Sequence, residues 1–212
     1  MSDSTPKPDE EINRVIHWTD QLESLIGKEG EKCRGLAWIH QRAELKQNHR
    51  NNMIQIPVII MSTIAGTASV GSSSLFSEYL TSASIAIGGI SIFVGILNTL
   101  GSYFSFAKRA EAHRIAYIQY SKQFSQLAIE MALPRTERLL PTILLKMVRE
   151  NMERLSETTP SPPKDIINEF NKEFKDVKDI AMPSETNGLE KIIIFKNENV
   201  ASPRPFKVHV TS

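Results

Sequence analysis

Ser84, Gly88, Ser91, Gly95, Asn98, Ser102 and Ser105 recur at alternating steps of four and three inside an otherwise apolar stretch. On a helix such a spacing draws one line along one side. Its chemistry is that of hydroxyls, one carboxamide and bare glycine backbone. These are groups for hydrogen bonding and close approach, with no nucleophile and base among them. Ile85, Ile87, Ile92, Phe93, Val94, Ile96 and Leu97 take the other faces. Acyl chains gain nothing from the small and polar line, so it must face something else. One such surface is a helix, because small residues let backbones approach and Asn98 can hydrogen-bond across the contact. The other is water, if a ring of such helices lines a pore. Ser62, Gly66 and Ser69 form a shorter partner line upstream, and Lys108 and Arg109 prolong the main line towards a cytosolic mouth.

Other chemistry is thinly represented. The five histidines, His17, His40, His49, His113 and His209, never stand at the i,i+4 spacing of a helical metal pair. Gly27-Lys28-Glu29-Gly30-Glu31-Lys32 has a faint likeness to a phosphate loop but lacks the Gly-Lys-Ser/Thr ending, so it reads as a break between helices. Trp38 and His40 read as packed and hydrogen-bonded among cytosolic helices. Glu130 and Glu137 beside Arg135 read as a solvated face. No enzyme, cofactor or metal is expected. A net charge of +1 over 212 residues gives no argument for nucleic acid. The single cysteine, Cys33, fits a reducing compartment.

The elements that must position the line follow from hydropathy. Between Asn51 and Ala107 the only charged side chain is Glu78. Met53 to Val70 would span about 27 Å as a helix, close to a bilayer core of about 30 Å. Leu80 to Ala107 is longer and would need tilt or a polar end outside the hydrocarbon. Neither segment has a charged face, so the fold class expected is an all-α membrane protein with a two-helix transmembrane hairpin over residues 51–107. A buried soluble hairpin is the competing reading. Arg42, Lys46 and Arg50 precede the first span and Lys108, Arg109, Arg114 and Lys122 follow the second, while Gly71 to Glu78 has neither Lys nor Arg. Both termini are therefore expected in the cytosol. Met1 to Glu10 lacks the apolar core of a signal peptide, so the first span would serve as its own insertion signal.

Residues 1–10 read as a disordered tail and 11–50 as N-terminal cytosolic helices, with Ile12, Val15, Ile16, Leu22, Leu25 and Ile26 on one face. Residues 108–177 read as a post-membrane helical region. In it Ala112, Ile115, Ala116, Tyr120, Phe124, Leu127 and Met131 form a stalk face that ends at Leu133-Pro134-Arg135. A helix then starts at Pro141, with Leu144, Met147, Val148, Met152 and Leu155 as its apolar side. A Pro-rich linker follows, and a last helix capped by Ser161 carries Ile166, Ile167, Phe170, Phe174 and Val177. Residues 178–212 read as mostly flexible, with order only near Lys191 to Phe195.

Leu36-Ala-Trp-Ile-His40, the paired apolar segments, Lys108-Arg-Ala-Glu-Ala-His-Arg114 and Tyr117 together resemble the SLATT family of two-span membrane proteins. Ile56-Pro57, Ser62-Thr63, Gly66-Thr67, Leu133-Pro134-Arg135 and the Pro-rich linker before Phe170 and Phe174 are similar to SLATT-like proteins of large DNA viruses. The resemblance covers about residues 11 to 176. It implies a pore-forming effector, homo-oligomeric, in a host-cell or virion membrane, and in relatives coupled to nucleotide-signal enzymes or sensors. This chain carries no enzyme or sensor domain of that kind, which leaves the trigger and any cytosolic partner open. A non-conducting structural membrane protein that binds partners through its cytosolic helices is the alternative.

Overall fold

The computed structural model describes residues 16–75, 80–177, 179–187, 192 and 194. The described residues are helical, in the order α1 (Asp20–Leu75), α2 (Leu80–Phe104), α3 (Phe106–Ala132), α4 (Pro141–Thr158), α5 (Lys164–Glu173) and α6 (Ser184–Asn187). The expected tail over residues 1–10 lies outside the described residues. So does the expected order near Lys191 to Phe195, apart from Ile192 and Ile194.

The Thr19 hydroxyl starts α1 by accepting the Leu22 N–H at 3.2 Å, and Asp20 and Glu23 place negative charge in the first turn. The helix then runs unbroken for 56 residues. The break expected at Gly27 to Lys32 is absent. Gly30 lies against Leu127 of α3, whose Cβ and Cδ1 are 3.6 and 3.7 Å from where a Cβ would project. Packing against α3 there outweighs a glycine penalty of about 1 kcal/mol. Pro57 also lies within α1, and the helix extends to Leu75 through part of the expected turn.

The chain folds back so that α2 and α3 run antiparallel to α1. Gly101 lies against Ile54 and Gln55, His113 against His40, and Leu127 against Gly30. The apolar halves of α1 and α2 thus form one end of the molecule. The other end holds three clusters. Cys33, Leu36, Ala37, Ala116, Tyr120 and Leu155 form the first, and Ile26, Leu127, Leu144 and Val148 the second. In the third, Ile39, Ala43, Ile166 and Phe170 carry Trp38 and Phe174 at their edge. The core line on α3 is Ala110, His113, Ala116, Tyr120, Gln123 and Leu127. Ile115, expected on that face, is exposed, as are Ile16 and Leu25 at the start of the chain.

Two details depart from the expected boundaries. Pro163, not Ser161, occupies the N-cap of α5. Residues 179–187, expected to be flexible, dock onto α1: Glu31 accepts the Ala181 N–H at 2.7 Å, and Pro183 is buried over Gly35.

Candidate functional site

The two apolar helices meet along a line one residue away from the expected one. On α2 the covered residues are Ala83, Ile87, Ile90, Val94, Leu97 and Gly101; on α1 they are Val58, Met61, Ala65 and Ala68. The sequence line is displaced by one position from each of these. One position is about 100° of rotation on a helix. Accordingly Ser84, Gly88, Ser91, Gly95, Asn98 and Ser102 are exposed, and so are Ser62, Gly66 and Ser69. A Cβ built on Gly66, Gly88 or Gly95 would meet nothing within 4 Å.

Within a single chain, then, the two lines do not pack on each other. Larger side chains win the contact, because Val58, Val94, Ile87 and Ile90 fill the groove that glycine and serine would leave open. The lines nevertheless share a location. In an antiparallel pair of right-handed helices, the same forward rotation on each carries both lines to the same broad side. One face of the pair is thus small and polar. The outer edges carry Ile56, Ile60, Ile85, Ile92 and Ile96, all exposed, while Ile59 stands on the small face at the end of the α1 line.

Several hydroxyls on or beside this face are satisfied by their own helix. Ser91 donates to the Ile87 carbonyl at 2.9 Å, Thr99 to Gly95 at 2.9 Å and Thr67 to Thr63 at 2.9 Å. Asn98 is different: its carboxamide makes no hydrogen bond among the described residues. A helix interior can accept from a carboxamide's donors but has no free N–H for its acceptor.

Ser105 ends the line in a conformation the sequence did not announce. Its backbone is left-handed, φ 50 and ψ 39, the single positive-φ residue other than glycine among those described. Its N–H still donates to the Gly101 carbonyl at 3.0 Å and its own carbonyl accepts from Arg109 at 3.1 Å. The Ser105 hydroxyl donates to the Ser102 carbonyl at 2.8 Å, a local bond that occupies the side chain at the bend. The helical run from the apolar segment into the stalk face is thus divided into α2 and α3 at this residue.

Beyond the division, Lys108 and Arg109 are exposed, as is Arg50 on α1 at the same end of the apolar pair. Lys46 instead bonds Asp165 of α5, and Arg42 faces Glu169 and Glu173 at 3.4 and 3.9 Å. These pairs fix α5 along α1 next to the apolar end. Trp38 holds the same helix through edge contacts with Phe170 and Phe174, each at 5.5 Å between centroids.

The buried polar centre of the end opposite the apolar pair is a histidine pair. His40 Nδ1 and His113 Nδ1 are 2.9 Å apart, and the His40 ring stacks on Tyr120 at 5.5 Å. Burial holds both imidazoles below their ordinary value, His40 down to about 4, with the neighbouring His113 adding to its shift. Scanning for i,i+4 histidines could not find a pair 73 residues apart. The signal is instead that each histidine sits in a line of core spacing.

A scan against protein-family models, a search of curated proteins and a search of solved structures each find no match. What the site can do rests on its own geometry. No group of three or more His, Cys, Asp or Glu able to hold a metal occurs among the described residues.

Proposed function

We propose that this chain is an oligomeric integral membrane protein whose two apolar helices cross the bilayer as a hairpin, with α2 lining a conducting or permeabilising path. This is the activity that the SLATT resemblance implies. Two helices are long and apolar enough to cross a membrane, and only 11% and 6% of their apolar windows are buried. The core helix of a soluble bundle would bury most of such a window. Arg50, Lys108 and Arg109 at one end of the pair favour a cytosolic position for that end and for both termini.

The observation that carries the oligomeric pore is Asn98. It stands on the outward small face with no hydrogen bond within the described chain. An unpaired carboxamide in hydrocarbon costs roughly 4–8 kcal/mol by alkane transfer. Facing water or another copy removes that cost. A pair of helices cannot enclose a path, so the path needs several copies, with Lys108 and Arg109 at its cytosolic mouth. Currents across planar bilayers carrying the purified protein test the reading. Conductance should appear and should fall sharply in Gly95→Leu and Asn98→Leu; absence of conductance, or indifference to both changes, overturns it.

A second reading is favoured by one observation. Ser84 with Gly88, and Ser91 with Gly95, are small residues four apart on an exposed face, the spacing that lets membrane helices pack closely. A non-conducting structural protein of a virion or host membrane would use that face for tight packing between copies. Its cytosolic helices would then bind a protein partner or a nucleotide-signal enzyme. Gly95→Leu would dissociate such an assembly with no current to lose.

A further inference from the structure

The cytosolic helices are joined at their centre by two imidazoles and no carboxylate. His40 and His113 are 1% and 4% exposed, on different helices, with their Nδ1 atoms 2.9 Å apart. A hydrogen bond at that separation requires one Nδ1 to donate and the other to accept, so the accepting ring is neutral, and when both rings are neutral they hold opposite tautomers. We propose that the pair is a proton-operated latch between α1 and α3, closed while the rings are neutral and opened when both are protonated.

The chemistry runs in two steps. One added proton goes to the free Nε2 of the donor ring and leaves the Nδ1–H···Nδ1 bond in place, though the charge then sits in a buried position. A second leaves two N–H donors facing each other with no acceptor, and two cations in contact. The surroundings offer no counter-charge inside the core. Tyr120 stacks on His40 and turns its hydroxyl to Thr159. Glu111 and Arg114 beside His113 are exposed and paired with each other, and Glu44 of α1 acts on Arg114. A cavity of about 680 Å³ borders His40 and gives water and protons a route to the ring. Its charged walls are Glu29 and Lys32 of α1, Arg149 and Glu153 of α4 and Glu185 of α6. Lys32 already holds Glu29 at 2.7 Å.

The sign follows from burial. Both imidazoles are held below their ordinary value, so the open state takes up protons before the closed one does. Closure is complete above the ordinary imidazole range of about 6.5 and is lost as pH falls from there towards about 4. His113 lies eight positions past Ser105, about 12 Å along α3. Release therefore loosens α3 close to the bend that joins it to α2. Only the effect on the membrane rests on the proposed function; the latch itself is read without a current.

Cys33 is the reporter, being the single cysteine and buried two turns before His40 on the same helix. Full-length protein in lipid nanodiscs is treated with 4,4′-dithiodipyridine, which also reacts in acid, and the rate is normalised to a free thiol at each pH. Uptake of one proton on opening raises that rate about tenfold between pH 7.5 and 5.5, and of two about a hundredfold. The double substitution His40→Gln with His113→Gln keeps hydrogen-bonding groups but cannot titrate, and should show a flat profile. A flat profile in the unmodified protein, or an equal rise in the double variant, overturns the latch. If the double variant loses its helicity, ring resonances of the unmodified protein decide. Histidines that stay neutral until Cys33 becomes reactive support the latch, and protonation near pH 6.5 with Cys33 still protected overturns it.

Discussion

Gly35 on α1 lies directly beneath Pro183, so close that an added Cβ would come within 2.6 and 2.8 Å of the proline ring. The ring is stiff and cannot swing away. Residues 179–187 reach α1 only because position 35 has no side chain.

Gly35→Ala should therefore displace this segment while leaving α1 intact. Overpacking of this kind costs about 1–3 kcal/mol. Limited proteolysis after residue 178 reads the result, with faster cleavage in the variant and unchanged helical circular dichroism. Equal cleavage would show that Pro183 is not seated there.

Phe170 is 4% exposed between Trp38 and Phe174. Phe170→Ala should cost about 3–5 kcal/mol and free α5 from α1. The Trp38 emission should shift to the red, measured in a Trp18→Phe background. An unshifted spectrum would mean that α5 does not depend on this ring.

Ser105 pays a backbone cost for its left-handed conformation, about 1–2 kcal/mol for a residue with a Cβ. Ser105→Gly should raise the melting temperature in detergent, and Ser105→Val should lower it. Unchanged melting in both would mean that the bend is not held.

Glu23 accepts from Arg135 at 2.7 Å and also binds Arg138, and these partners hold its carboxyl down to about 2. The pair joins the start of α1 to the turn after α3. A depressed carboxylate contributes its stability above the ordinary value of about 4.5 and loses it as pH falls from there towards about 2. Amide protection in the 133–140 turn, normalised to the intrinsic exchange rate at each pH, should fall over that window, and Glu23→Gln should be poorly protected throughout. An exchange rate unaffected by Glu23→Gln would remove the contact from the account.

Much of this was legible because periodicity reports burial. The paired apolar segments, the stop at Leu133-Pro134-Arg135 and the start at Pro141 follow from charge, spacing and proline chemistry. The apolar side of α4 does too, since Leu144, Val148 and Leu155 are buried as their spacing predicts. Gly27 and Gly30 misled because local propensity is weaker than a long contact with α3. The side of α2 that α1 covers was not legible: a line of small residues shows what lipid would reject, not which neighbour fits best. His40 and His113 were readable by another route. They stand 36 positions before residue 76 and 34 after residue 79, so a chain that doubles back between α1 and α2 brings them level. The left-handed Ser105 has no counterpart in the sequence pattern.

Disulfide trapping between copies in lipid tests most directly whether the small face of the apolar pair turns towards another copy. In a Cys33→Ala background, Ser91→Cys, Asn98→Cys and Ile92→Cys are oxidised one at a time and the products sized. The expected result is efficient dimer formation at positions 91 and 98 and little at 92, whose side chain lies on the outer edge. Trapping at 92 with none at 91 or 98 would contradict the account.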